Sequence, residues 1–183
     1  MAATLFHVSE ESAIARFEPR PLPKGAVGVA PDERVVWAID AAHLHNYLLP
    51  RDCPRVTFYV RPERGGVSND EPLLAGTTAA RVIAVESGWV DRIRRTTLFC
   101  YELPAEGFTC IDANAGYFVS REAVTPASVR RIDDPIAELA RHGVELRVMP
   151  SLWRLHDAVV ASTNLSHSII RMRNAQPRTG SPS

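Results

Sequence analysis

At 183 residues, with 45% hydrophobic and 23% charged residues, the chain is long enough to bury one full core, and a single domain over residues 1–173 is expected. Its 21 basic residues balance 21 acidic ones, which removes any general electrostatic reason to expect nucleic acid or an anionic membrane surface as a partner. Cys53, Cys100 and Cys110 are odd in number and far apart, which argues against a disulfide framework, and no run reaches about 18 consecutive apolar residues; the expectation is a cytoplasmic protein without a membrane span.

The first apolar stretch, Leu5-Phe6-His7-Val8-Ser9, reads as a strand, with Phe6 and Val8 on one face and His7 and Ser9 on the other. Ser9 is placed to cap a short helix through Ala15, whose positive end the acids Glu10 and Glu11 suit. Four prolines between Glu18 and Pro31 forbid regular helix and sheet interiors there and make a surface loop. Val35 to Ile39 is a continuous apolar run, expected as a central strand covered on both faces. Asp40 then caps a predicted helix through Leu49, ended by Pro50, in which His43 and Tyr47 share a face.

Arg55 to Val60, rich in β-branched and aromatic residues, is a strand, and the polar stretch Arg61 to Gly76 is an excursion. Strands are expected at Arg81 to Glu86, Leu98 to Leu103 and Phe108 to Ile111, and Gly116 to Val119 reads as extended. A short helix capped by Ser87 carries Trp89 and Ile93 inward. Asp133 or Asp134 with Pro135 opens a helix that Gly143 ends, Glu145 to Val148 is a strand, and a last helix buries Leu152, Leu155, Val159 and Val160. Residues 168–172 dock as helix or strand, and the tail from Asn174 to Ser183 has nothing to bury and is expected to be disordered. Many short strands with short helices scattered among them make an α+β fold of mixed and antiparallel sheets.

The order of strand-borne His7, aromatic strand Val35 to Ile39 leading into a helix, and late segment Gly116-Tyr117-Phe118-Val119-Ser120-Arg121-Glu122 resembles that of ADP-ribosyltransferase-like domains. The resemblance implies a split pair of small sheets with NAD held in a cleft as substrate. His7 would then bond a ribose hydroxyl, the Val8 backbone would hold the carboxamide, and Ser9 would line the same corner. Trp37 or Tyr47 would stack on the nicotinamide ring, and Tyr117 would lie in the late strand. The carboxylate that steadies the oxocarbenium-like charge as nicotinamide leaves would be Glu122, with Asp112 and Glu86 as rivals.

Each of these residues has a plainer alternative: His7 as a hydrogen-bonded structural histidine, Trp37 as core, Glu122 as a solvated turn acid. Two further readings stay open. One is a binding module of the same fold without catalysis. The other is an RNA 2′-phosphotransferase-like enzyme in which Arg51, Arg55 and Arg121 hold phosphate. Arg92, Arg94, Arg95, Arg130 and Arg131 are candidates for a basic face toward nucleic acid. His43, His45 and Cys53 lie near one another in sequence, yet two histidines at i and i+2 of a helix cannot aim at one ion, so no metal is expected. Nucleophile-elbow, phosphate-loop and dinucleotide glycine motifs are absent.

Overall fold

The computed structural model describes residues 4–21, 30, 32–60 and 72–178. The fold is α+β, and the chain divides into two compact units, each assembled from two separate segments: Met1–Leu48 with Thr97–Asp133, and Leu49–Thr96 with Asp134–Ser183. Among the described residues no helix is long and apolar enough to cross a membrane.

The first unit holds the strands β1 (Thr4–Ser9), β2 (Arg20–Pro21), β3 (Arg34–Ile39), and later β6 (Leu98–Pro104), β7 (Thr109–Asp112), β8 (Tyr117–Ser120) and β9 (Ser128–Ile132). All pair antiparallel in the order β7-β8-β3-β1-β6-β9, with β2 beside β3. The prolines that exclude a sheet interior are compatible with this place, because β2 is only two residues long and pairs on one side. Residues 22–29 and 31 of the predicted loop lie outside the described residues.

Strand alternation sends Leu5, Val36, Ala38, Tyr101 and Leu103 to one face, where Phe17 and Val124 complete a buried cluster. Each large side chain withdrawn from water there contributes about 1.5–3 kcal/mol. The helix expected after Ser9 does not form. Ser9 Oγ accepts the Glu11 amide at 3.0 Å and closes a turn instead. The chain from Glu11 to Ile14 is tied to the sheet by the Tyr101 hydroxyl, which donates to the Glu11 carbonyl (2.7 Å) and accepts from the Ile14 amide (3.2 Å). Tertiary bonds from Tyr101 thus compete with helical ones at a stretch too short to nucleate by itself.

The second unit contains β4 (Arg55–Val60), β5 (Arg81–Glu86), β10 (Val144–Met149) and β11 (Leu165–Ile170), with helices α1 (Val90–Arg95), α2 (Pro135–Arg141) and α3 (Trp153–Ala161). Its sheet runs β10-β5-β4-β11, parallel between β10 and β5 and antiparallel elsewhere. Val56, Phe58, Val82 and Ala84 form one face, covered by Leu152, Leu155 and Val159 of the α3 segment. Val160, expected in that stripe, is half exposed at 51%, because the 3.6-residue period turns it away from its neighbour Val159. Helix α2 follows its local signals: Asp134 Oδ1 accepts the Ala137 amide at 2.9 Å, Pro135 opens the first turn, and Gly143 just beyond it has φ of 66°.

The chain end departs from expectation. Residues through Arg178 are held rather than free: the Asn174 side chain donates to the Asp52 carbonyl, the Gln176 amide donates to the buried Glu86 carboxylate at 2.9 Å, and the Trp153 indole donates to the Gln176 carbonyl at 2.6 Å. Arg178 makes a two-pronged pair with Asp157 (2.8 and 2.9 Å) and lies 4.3 Å above the Trp153 ring. Residues 179–183 lie outside the described residues.

Candidate functional site

The sequence placed His7 and an aromatic of the second strand on one groove; the sheet separates them. Phe6 pairs with Ile39, so Trp37, two residues from Ile39, shares the Phe6 face, and His7 lies on the other. Contacts agree with that parity. The His7 ring packs 4.7 Å from Phe17 on the core face, whereas the Trp37 ring meets Tyr117 edge to face at 5.8 Å. The His7 Nδ1–H donates to the Trp37 backbone carbonyl at 2.9 Å, bridging β1 to β3 where their backbone pairing is short. A cleft lined jointly by the His7 imidazole and the Trp37 ring is therefore not formed, because neighbouring registers of one pleated sheet present opposite faces.

The other predicted residues distribute as follows. Val8 shares the Trp37 face of the sheet by the same alternation, and Ser9 closes its turn. Tyr47 and Tyr117 come together, the Tyr47 hydroxyl donating to that of Tyr117 at 3.1 Å. Trp37, Tyr47 and Tyr117 thus form one aromatic group in the first unit. The Trp37 indole nitrogen is buried and has no acceptor among the described residues. Glu122 is exposed, in a turn where its amide donates to Ser120 Oγ at 3.2 Å. Of its rivals, Asp112 accepts the Asn114 and Ala115 amides in the β7–β8 turn, and Glu86 is buried in the second unit and bound to backbone amides of Leu152 and Gln176.

The proposed phosphate-holding arginines are occupied in other ways. Arg55 is 2% exposed and donates to the carbonyls of Pro50 (3.2 Å) and Cys53 (3.0 Å), so it is a buried strut of a turn. Arg51 is exposed in the second unit, and its carbonyl accepts from Arg171. Arg121 pairs with Glu33, both at 2.9 Å through Nε and a terminal nitrogen. Arg130 and Arg131 lie on the edge strand β9, where charge discourages pairing with another sheet. Among the described residues no group of three or more His, Cys, Asp or Glu side chains could hold a metal ion. Burial pushes the Cys53 thiol up to about 12, against a partial opposing pull from Arg55.

Sequence reasoning missed the Asp40–His43 pair of the first unit. The helix expected from Asp40 to Leu49 reduces to one 3-10 turn, Leu44–Tyr47, because the Asp40 carboxylate is used locally. Asp40 Oδ1 accepts both the His43 amide (2.9 Å) and the His43 Nδ1–H (2.8 Å). With Nδ1 carrying the proton, Nε2 keeps its lone pair, and it has no partner among the described residues. The His43 side chain is 14% exposed and that of Asp40 31%.

Gly116 shapes this corner. The β7–β8 turn, organised by Asp112, brings Gly116 to φ of 68°, and its carbonyl accepts the Asp40 amide at 3.1 Å. A Cβ at Gly116 would stand 2.7 Å from Asp40 Oδ1 and closer still to His43 Nδ1, so only glycine admits the pair. Gly116 immediately precedes Tyr117, the first residue of β8, so the turn that accommodates the pair runs into the strand that carries one of the aromatic residues. The available signal was the Asp-x-x-His spacing after a buried strand, which reads equally as a helix cap.

Residues 6–175 match the family described as a family of unknown function, DUF6886. No curated protein and no solved structure matches the chain.

Proposed function

The chain belongs to DUF6886 over nearly its whole length, and we propose that it is an NAD-binding, ADP-ribosyltransferase-like protein whose ligand lies on the Trp37, Tyr47 and Tyr117 face of the first unit. The single observation carrying this reading is that these three side chains, drawn from separate parts of the sequence, meet through a ring edge and a hydroxyl pair. A flat pyridinium or adenine ring is suited to an aromatic surface, and paired tyrosine hydroxyls offer donors and acceptors to ribose. The buried indole N–H of Trp37, without an acceptor among the described residues, leaves one further donor for a ligand oxygen. His7 supports the strands in this reading and does not touch the ligand.

Thermal melting with and without NAD tests the assignment. A ligand at 100 times its Kd stabilises the native state by about 2.7 kcal/mol, which for a chain of this size raises Tm by roughly 5–10 °C. The Trp37→Phe and Tyr117→Phe variants lose most of that shift, while His7→Gln, melting lower without ligand, keeps it. No shift in the parent protein, or a shift abolished by His7→Gln alone, overturns the reading. NAD binding without nicotinamide release would make the chain a binding module.

A further inference from the structure

We infer that Asp40 and His43 form the acid–base pair of this site, with His43 Nε2 taking a proton from water or from an acceptor hydroxyl; the inference rests on the NAD reading above for its substrate. Three observations carry it. The imidazole is oriented by a carboxylate through Nδ1 at 2.8 Å, which fixes the tautomer and leaves Nε2 as the basic atom. Among the described residues Asp40 has no arginine or lysine partner, and its carboxylate accepts from the imidazole and the His43 amide. Gly116, in the left-handed region, leaves the space that the pair occupies, and the same turn leads directly into Tyr117.

The attacking oxygen of water or of an acceptor hydroxyl forms a bond to the anomeric carbon of the nicotinamide ribose, and its proton passes to His43 Nε2. The carbon–nitrogen bond breaks with its electron pair going to the ring nitrogen, which neutralises the pyridinium, and nicotinamide leaves. The imidazolium, steadied by Asp40, then releases the proton to solvent. Asp40 is a positioning residue in this scheme, since it acts through the imidazole.

The experiment has two arms. In the first, NAD binding is measured by titration and nicotinamide release by chromatography, in the parent protein, His43→Gln, His43→Gly and Asp40→Asn. His43→Gln binds NAD within about threefold of the parent and loses release by about 10²–10⁴-fold, the span of general-base catalysis. Added imidazole restores release to His43→Gly, which a merely structural histidine would not allow. Release by His43→Gln at the parent rate, or no rescue, overturns the inference while leaving NAD binding intact. Absence of NAD binding by the parent overturns the reading of the ligand instead.

The second arm needs no ligand. Diethyl pyrocarbonate acylates neutral imidazole at an open nitrogen, and mass spectrometry follows each histidine separately. His43 of the parent reacts several-fold faster than His43 of Asp40→Asn, because the carboxylate makes Nε2 more nucleophilic. Equal rates would remove the pair as an acid–base device whatever the ligand proves to be.

Discussion

The Asp40–His43 pair of the first unit and the His156–Asp157 pair of the second share nearly the same hydrogen bond, 2.8 and 2.9 Å, in different company. Among the described residues the Asp40 carboxylate bonds only to His43, and the turn at Gly116 is shaped around the two. Asp157 is shared with Arg178, whose hydrogen bonds, more than that of His156, hold its carboxyl down to about 2. The Arg178 guanidinium also covers Trp153, against whose ring His156 packs at 5.4 Å. A histidine–aspartate contact is therefore not itself a site. A carboxylate whose charge an arginine neutralises fastens a chain end, and one left to a single imidazole can tune its chemistry.

The largest expected effect sits at the base of the fastening. Glu86, 2% exposed, accepts the amides of Leu152 and Gln176, and Glu86→Leu strands both donors. Each buried donor left without a partner costs about 1–3 kcal/mol, so urea unfolding of this variant should show a loss of several kcal/mol and early exchange of the Gln176 amide. Retained protection at Gln176 would mean that the Arg178 pair alone holds the chain end.

Next comes the glycine pair. Gly116→Ala should cost about 1–3 kcal/mol through backbone strain and should also slow acylation of His43, since the new methyl group displaces the imidazole. Gly143→Ala has similar positive φ but open space around its Cβ, so it should cost only about 1 kcal/mol and leave His43 untouched. Equal behaviour of the two variants would show that the cradle around Gly116 does not constrain the dyad.

The smallest effects concern the exposed pair. Asp157 has its folded value lowered from 3.8 to about 2, so its contribution is fully present above the unfolded value and is lost as pH falls through the folded one. Trp153 fluorescence should accordingly stay constant at neutral pH and change between pH 3.8 and about 2, and Arg178→Ala should abolish that transition. The effect should shrink in high salt, as for any exposed ion pair. A transition that survives Arg178→Ala would assign it to another carboxylate.

Thiol labelling separates the cysteines on the same principle of environment. Cys110 is exposed and should react with iodoacetamide in the native state, whereas Cys53, buried and pushed up to about 12, should react only on unfolding.

Where neighbours in sequence carry the whole signal, the elements were legible. Strands β4 and β5 follow their apolar and β-branched runs to the residue, and α2 follows its Asp-Pro opening and its closing glycine. Where a side chain had two possible partners, they were not. Asp40 and Ser9 both read as helix caps, and the structure uses one to hold an imidazole and the other to close a turn. Of the proposed site, the aromatic residues Trp37, Tyr47 and Tyr117 were visible as candidates, but His43 was read as a neighbour of Tyr47 on a helix that does not form and as a metal ligand weighed and set aside, not as a partner of Asp40.

The sequence by itself determined the α+β class and most strand positions, because side-chain periodicity and turn residues act within a few positions of one another. Only the tertiary structure decided that His7 and Trp37 face opposite ways, that Gly116 from a distant hairpin makes room for Asp40 and His43, and that the chain end returns to Glu86 and Asp157. Those outcomes depend on strand register and on contacts between residues about 70–90 positions apart, such as Tyr47 with Tyr117 and Glu86 with Gln176, which no local pattern encodes.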